Sequence, residues 1–177
     1  VARTRGAAQR GELCIMVGAW STISARIEPL LRYIASDVTL CGEVGCGQVV
    51  KLINNALVFE NTVALAEMMV LGERAGVAPG TLLDAVSKGS GDSFVLRNHG
   101  RKAMLPREFP EKSFPPEYVL KDISYVLELA NATGVNAQVT ELAQRYYAAT
   151  AKNGFSGRYF PAVIEVIDGK SAAAVGG

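Results

Sequence analysis

A glycine-rich turn runs directly into the longest apolar helical pattern of the chain, at Gly42-Glu43-Val44-Gly45-Cys46-Gly47-Gln48-Val49-Val50-Lys51-Leu52-Ile53-Asn54-Asn55. Because glycine tolerates backbone conformations closed to other residues, the glycines at 42, 45 and 47 allow a tight turn after a short apolar run. From about Gln48 the apolar residues follow a helical period. The segment therefore predicts a strand end, a sharp turn and a long helix.

Lys51 lies near the predicted start of this helix, where the helix dipole places positive partial charge. Its apolar neighbours are expected to exclude water: Val49, Val50, Leu52 and Ile53. Both effects disfavour the ammonium, so we expect the lysine pKa to be lowered. Asn55 lies one turn later on the same face, and a lysine biased toward neutrality beside an amide suits proton transfer at a carbonyl or alcohol oxygen. The alternative is a lysine with a packed stem and a solvated head.

Composition limits the classes of function. The chain has 177 residues, enough for one sizeable core or for one domain with part of a neighbour. A net charge of +1 offers no field for wrapping a polyanion, so nucleic acid is not an expected partner. The cysteines Cys14, Cys41 and Cys46 form no CxxC pair, which favours a reducing compartment, by default the cytoplasm. The chain has no initiating methionine, and we expect it to be a fragment.

The order of patterns predicts α/β material followed by helices. The first part should hold a strand at 13–17, a helix at 21–36 and a strand at 38–41. The rest should hold helices at 48–75, 79–87, 117–133, 138–152 and 160–167, a short helix ending at Gly100, and an irregular proline-rich loop at 105–116. The apolar segment from Gln48 to Leu71 is interrupted by charged and amide residues, which indicates a core helix rather than a membrane span.

The pattern Gly45-x-Gly47-x-x-x-Lys51-x-x-x-Asn55 resembles the catalytic signature of the β-hydroxyacid dehydrogenases, which include 3-hydroxyisobutyrate and 6-phosphogluconate dehydrogenases. The likeness extends over most of the chain up to about residue 150, through Ala7-Ala8, Gly11, Leu13, Met16-Val17-Gly18, Phe114 and Lys121-Asp122. It implies a mainly α fold: a helical C-terminal domain of the 6-phosphogluconate dehydrogenase type over 46–177, used for substrate binding and dimerisation. Residues 1–45 would be the last strands and helix of a Rossmann-like nucleotide-binding domain.

The resemblance also implies an activity and roles for particular residues. NAD or NADP would exchange hydride with a small anionic hydroxy acid or semialdehyde, Lys51 would be the general acid/base, and Asn55 would orient the substrate.

Ala2, Arg3 and Thr4 occupy the place where the family holds the substrate carboxylate. The family usually has a Ser-Gly-Gly type of turn at this place, and Arg3 departs from it. The pattern here is similar to that of the sulfolactaldehyde reductase branch, and an arginine could clamp a second anionic group. Phe114 would line the cleft, Lys121 would reach the cofactor, and Asp122 would frame the site. A homodimer or higher homo-oligomer is implied, with no membrane partner.

Two other functions compete with this interpretation. An imine reductase has the same architecture, but that group typically lacks the lysine found at position 51. A non-catalytic helical module for oligomerisation or partner binding is the second alternative, and Lys51 together with Asn55 argues against it. His99 is the single histidine of the chain, and no cysteine or carboxylate cluster lies near it at metal-ligand spacing. We therefore expect His99 to be a loop residue and expect no metal site.

Overall fold

The computed structural model describes residues 1–3 and 5–170. Over these residues the protein is mainly helical and has two strands near its beginning, as the sequence predicts, and the two strands pair as a small parallel sheet. The chain divides into two compact units, the first comprising Val1–Asn55 and the second beginning at Ala56. The division falls inside the longest helix, so the helix belongs to both units.

The first unit contains a strand–helix–strand arrangement. Its elements are α1 (Arg5–Gln9), β1 (Leu13–Gly18), α2 (Ser21–Leu31) and β2 (Ala35–Gly42). The two strands are parallel, with Ile15 opposite Val38, and α2 supplies the crossover connection that parallel strands need. Ile15, Val17 and Ala35 form a small buried cluster against α2.

Two boundaries in this unit differ from the sequence prediction. The structure ends α2 before residue 36 and begins β2 at Ala35 rather than at residue 38. The cause is Ile34, whose position continues the helical apolar spacing. Its carbonyl accepts a hydrogen bond from the backbone N–H of Leu13 at 3.2 Å, so the chain has already left the helix to join the sheet.

The second unit is built from helices. The long helix α3 (Cys46–Arg74) is followed by α4 (Pro79–Val86), a π-helical segment (Leu96–Met104), α5 (Pro116–Thr133), α6 (Gln138–Thr150), a π-type turn (Ala151–Phe155), a 3-10 turn (Phe160–Ala162) and α7 (Val163–Ile167). Gly76 and Gly134 follow α3 and α5 with φ angles of +88° and +73°. A glycine in this left-handed conformation ends a helix without steric cost, in agreement with the helix ends predicted at about residues 75 and 133.

Gly100 does not end its helix, contrary to the sequence prediction. The π-helical segment continues through it to Met104, and the N–H of Leu105 bonds the carbonyl of Gly100 at 2.8 Å. A Cβ at Gly100 would lie 2.9 Å from Cδ2 of Leu65. This glycine therefore allows close packing against α3. From the sequence alone, a glycine with this role cannot be distinguished from one that ends a helix.

A cluster of aromatic rings lies in the core of the second unit. Phe59 packs against Phe114, Tyr147 and Phe160 with ring centroids 6.0, 6.0 and 5.7 Å away. Tyr147 is fully buried, and its hydroxyl donates to the carbonyl of Phe59 at 3.2 Å. Such contacts add directional preference to the burial of large apolar surface.

The long helix α3 meets the length and composition of a membrane span, and 33% of its most apolar window is buried in the described chain. It also supplies core residues, namely Phe59, Val63, Ala66, Met69 and Val70. Polar groups on a neighbouring face bind α6: Thr140 donates to Glu60 at 2.6 Å and Tyr146 to Glu67 at 2.9 Å. These contacts make α3 a core helix of the second unit.

Candidate functional site

The glycine turn brings the start of α3 against the carboxyl end of β1. Gly42 and Gly45 have φ angles of +125° and +100°, which only glycine adopts readily. Gly47 serves a different purpose, because a Cβ there would lie 2.5 Å from the carbonyl oxygen of Met16 and 2.8 Å from the nitrogen of Gly18. The carboxyl ends of parallel strands are where open α/β sheets bind ligands, and α3 begins at this edge.

Lys51 and Asn55 lie one turn apart on α3, as predicted, and both are partly buried. Asn54 donates from Nδ2 to Oδ1 of Asn55 at 3.2 Å, which orients the Asn55 amide. The apolar shelter expected around Lys51 is only partly present in the described chain. Leu52 is buried, but Val50 and Ile53 are 38% and 48% exposed, because they lie on the outer face of the helix.

The segment predicted to hold the substrate carboxylate lies beside the sheet. Ala2 forms an antiparallel bridge to Cys14, with its N–H 2.8 Å from the Cys14 carbonyl. Arg3 has a φ of +82°, which is rare for a residue with a side chain. Thr4, the third predicted residue, lies outside the described residues.

The Arg3 guanidinium is held by groups that the sequence prediction did not include. It donates to the Asp37 carboxylate and the Ser36 hydroxyl, both at 2.8 Å, and to the Glu12 carbonyl at 2.9 Å. The Ser36 hydroxyl and this guanidinium lower the pKa of Asp37. A second anion at Arg3 would compete with Asp37. The partnership spans more than thirty residues and depends on strand register, so spacing alone gave no signal for it.

Phe114, Lys121 and Asp122 belong to the second unit, at the start of α5 and just before it. Phe114 is half-buried and stacks on Phe59. The Lys121 side chain is 59% exposed, and its Nζ lies 3.5 Å from Oδ1 of Asp122, which is buried. The Lys121 ammonium also lies 5.9 Å from the ring centroid of Tyr118, a residue outside the predicted site. An i, i+3 spacing on a helix is the signal that could have found it.

His99 is a buried helical residue and not the loop residue that was predicted. It lies in the π-helical segment, and its Nδ1 is hydrogen-bonded to the Tyr159 hydroxyl at 2.7 Å. Burial, assisted by the Lys102 ammonium, lowers the His99 pKa to about 4, and burial raises the Tyr159 pKa to about 12. Both groups are therefore neutral at physiological pH.

Comparison with known proteins identifies close likenesses. A family model described as the NAD-binding domain of NADP-dependent 3-hydroxyisobutyrate dehydrogenase matches residues 45–167. The chain is 31% identical over 174 residues to 2-(hydroxymethyl)glutarate dehydrogenase of Eubacterium barkeri, covering 98% of this chain and 57% of that protein. It is 30% identical over 161 residues to 2-hydroxy-3-oxopropionate reductase of Escherichia coli K12, covering 91% of this chain and 54% of that protein.

A solved structure of similar fold is the Mycobacterium tuberculosis 3-hydroxyisobutyrate dehydrogenase with L-serine. Its TM-score is 0.85 at 25% identity, over 94% of this chain and 58% of that one. The chain thus spans about half the length of the curated relatives that it matches. The family model alone covers well over half of the sequence. The chain belongs to the 3-hydroxyisobutyrate dehydrogenase family, whose members are NAD(P)-dependent β-hydroxyacid dehydrogenases.

Proposed function

We propose that the protein catalyses hydride exchange between NAD or NADP and a small β-hydroxy acid or its semialdehyde, with Lys51 as general acid/base. The observation that carries the proposal is the placement of Lys51 and Asn55 one turn apart on α3, directly after a glycine turn at the carboxyl edge of a parallel strand pair. A lysine and an amide on one helix face suit an alcohol or carbonyl oxygen.

The proton step belongs to Lys51. In the oxidative direction its neutral amine accepts the hydroxyl proton of the substrate, and in the reductive direction its ammonium returns a proton to the carbonyl oxygen. The nicotinamide, when bound, supplies or accepts the hydride. Asn55, whose amide is oriented by Asn54, holds the substrate oxygen in place. A general acid/base of this kind contributes about 10²- to 10⁴-fold in rate.

The remaining predicted residues bind and orient. The backbone of Arg3, together with Thr4, holds the substrate carboxylate. Ala2 fixes this segment to β1 through its bridge to Cys14, and the Arg3 side chain secures it through Asp37. We assign Phe114, which is half-buried, to the apolar lining of the substrate site. The Lys121 ammonium, which is exposed and therefore open to an anionic group, fits a negatively charged part of the cofactor. Asp122 fixes the lysine from its buried position.

The substrate class follows from what the relatives are named for. One is a 2-(hydroxymethyl)glutarate dehydrogenase, one a 2-hydroxy-3-oxopropionate reductase and one a 3-hydroxyisobutyrate dehydrogenase. These substrates share a terminal hydroxyl or aldehyde one carbon removed from the carbon that bears a carboxylate. We assign this chain a substrate with the same arrangement, a primary alcohol or aldehyde β to a carboxylate.

The test uses the protein in its full length with NADH and NADPH. The panel holds methylmalonate, tartronate, succinate and sulfolactaldehyde-type semialdehydes, with a cyclic imine as the competing substrate class. We expect one of the acidic aldehydes to be reduced, and Lys51→Ala to lower kcat by about 10²- to 10⁴-fold with little change in binding. Lys152→Ala, at an exposed lysine of the second unit, is the matched control and keeps the wild-type rate.

Either of two results contradicts the proposal. The first is no turnover of any acidic aldehyde by the wild type, and the second is a Lys51→Ala variant with full rate. Turnover of the imine alone would assign the protein to the reductases of that class. A Lys51→Ala variant with full rate would show that Lys51 has a structural role only.

We also propose that the protein forms a homo-oligomer through the outer face of α3 in the cytoplasm. Within the second unit this face exposes the apolar side chains of Leu57, Met68 and Leu71 at helical spacing, and large apolar side chains exposed on one face mark an interaction site. The cysteines are free, half-buried thiols, which supports a reducing compartment. Leu57→Lys combined with Leu71→Lys is expected to lower the mass in light scattering to that of a monomer.

A further inference from the structure

Tyr118 connects the core of the second unit to an exposed charge. Its ring meets Phe114 edge-on, with the centroids 5.7 Å apart at 78°. Phe114 is in turn anchored in the core by Phe59 at 6.0 Å and Phe160 at 6.1 Å. Although 56% of Tyr118 is exposed, its inner edge is therefore fixed by a ring that cannot move without disturbing the core.

The outer side of Tyr118 faces Lys121. The two residues are three apart on α5 and so are neighbours on one helix face, with the Lys121 Nζ 5.9 Å from the ring centroid. A cation at this distance from an aromatic face is attracted by the negative potential of the ring. The same ammonium lies 3.5 Å from the Asp122 carboxylate. Two separate contacts thus restrict a long side chain that is otherwise exposed.

Restricting this lysine has a functional consequence. A lysine side chain loses much rotamer freedom when it binds an anion, and a side chain that is already restricted loses less on binding. Without the Tyr118 ring, the Asp122 carboxylate would restrain the Lys121 ammonium from one side only. The Tyr118 ring restrains it from a second direction, so the ammonium occupies a smaller volume before any ligand arrives.

We propose that Tyr118 is a positioning residue for cofactor binding, holding the Lys121 ammonium in place through its ring. The assignment rests on the proposed function, because it requires that Lys121 binds an anionic part of the dinucleotide. The ring is the part that acts, so phenylalanine should replace tyrosine without loss, whereas leucine should not. The effect lies in affinity for the cofactor and not in the rate at saturation.

The experiment is a double-mutant cycle on the dissociation constants of NADH and NADPH, measured by calorimetry on the full-length protein. The variants are Tyr118→Phe, Tyr118→Leu, Lys121→Ala and the combination of the last two. We expect Tyr118→Phe to bind as the wild type does and Tyr118→Leu to bind about two- to fivefold more weakly, as for an exposed cation–π contact. Lys121→Ala weakens binding, and adding Tyr118→Leu to it has no further effect.

The proposal is overturned by wild-type affinity in Tyr118→Leu, by an equal loss from Tyr118→Leu in the Lys121→Ala background, or by wild-type affinity in Lys121→Ala. A loss in Tyr118→Phe equal to that in Tyr118→Leu would also overturn it, because the hydroxyl would then be responsible. The kcat of Lys51→Ala at saturating cofactor is measured separately. If that rate is unchanged while the cycle behaves as expected, the Lys51 mechanism fails and the role of Tyr118 in binding stands.

Discussion

The two units of the chain are stabilised in different ways. In the first unit the buried cluster is small, and the glycine turn brings backbone into direct contact with backbone at Gly47 and Gly18. The second unit has a large aliphatic and aromatic core that encloses polar groups, among them His99 and Glu165. The stability of the first unit therefore depends on the absence of a side chain at Gly47. The stability of the second unit depends on partners for its buried polar side chains.

This difference predicts which substitutions each unit tolerates. An added methyl group at the backbone contact of the first unit has no room, because carbonyl and amide atoms cannot rotate away as side-chain ends do. In the second unit the sensitive changes are those that leave a buried charge unpaired or that charge a buried neutral group. The following experiments compare these two kinds of sensitivity, beginning with the largest expected effect.

The largest effect is expected for Arg107→Ala in the second unit. Its guanidinium bonds the buried Glu165 carboxylate at 2.9 Å and the exposed Glu73 carboxylate at 3.2 Å. Removing it leaves the Glu165 charge buried without its partner, which costs about 3–5 kcal/mol. Chemical denaturation measures the loss. Glu73→Gln is the control, because an exposed pair contributes only about 0–1 kcal/mol; equal losses in both variants would contradict the role of burial.

The second effect is a loss of stability in acid caused by His99. Its pKa is lowered to about 4 in the folded state by burial and by Lys102, whereas the unfolded chain takes up a proton near pH 6.5. The unfolded state therefore binds more protons between these values, and the free energy of unfolding falls as the pH drops from about 6.5 to about 4, by roughly 2–3 kcal/mol. Above pH 6.5 the histidine is neutral in both states, so it no longer makes the free energy of unfolding depend on pH.

The measurement is the unfolding free energy of the wild type and of His99→Gln at a series of pH values. Carboxylates titrate in both proteins, so the difference between the two curves isolates the histidine. A difference that stays constant between pH 7 and pH 4 would show that His99 is not held neutral by the fold.

A third prediction concerns Gly47→Ala, at the second residue of α3. The added Cβ would lie 2.5 Å from the Met16 carbonyl oxygen, so the start of α3 must move away from β1. We expect a loss of about 1–3 kcal/mol, which is typical of overpacking. Hydrogen exchange followed by mass spectrometry should show faster exchange in residues 1–55 and little change in the second unit. Equal acceleration throughout residues 56–170 would mean that the two units do not unfold separately.

The smallest effect, and one of opposite sign, is expected for Gly80→Ala. Gly80 is also the second residue of its helix, α4, but among residues 1–3 and 5–170 no atom outside its own helical turn lies within 4 Å of the position that its Cβ would occupy. Alanine should stabilise the protein by about 0.4–1 kcal/mol, because it restricts the unfolded chain. Thermal unfolding measures the gain, and the pair Gly47 and Gly80 compares the same change at matched helix positions. A loss of stability in Gly80→Ala would contradict the open space found around this position.

Local patterns predicted most of the fold. The ends of α3 and α5 follow from Gly76 and Gly134, whose positive φ angles are a local requirement. The extent of the π-helical segment could not be predicted, because Gly100 is required by Leu65 of another helix and not by its own backbone. The end of α2 was misplaced for a similar reason, since the hydrogen bond from Leu13 to Ile34 depends on strand pairing.

The candidate site divides in the same way. The relation between Lys51 and Asn55 follows from helical spacing and could be predicted. The exposure of Val50 and Ile53 could not be predicted, because the sequence does not show which face of a helix is covered by the rest of the protein. The ion pair of Arg3 with Asp37 joins distant parts of the chain, and its discovery required the strand register.

The sequence by itself determined the mainly helical class, the glycine turn, the spacing of Lys51 and Asn55, and the resemblance to the family to which the chain belongs. Tertiary structure alone decided which glycine serves close packing, which charges are paired, and that His99 is buried against Tyr159. The physical reason is one of range. Backbone preferences and helical periodicity act over a few residues, whereas desolvation and side-chain pairing depend on neighbours that the chain brings together only when it folds.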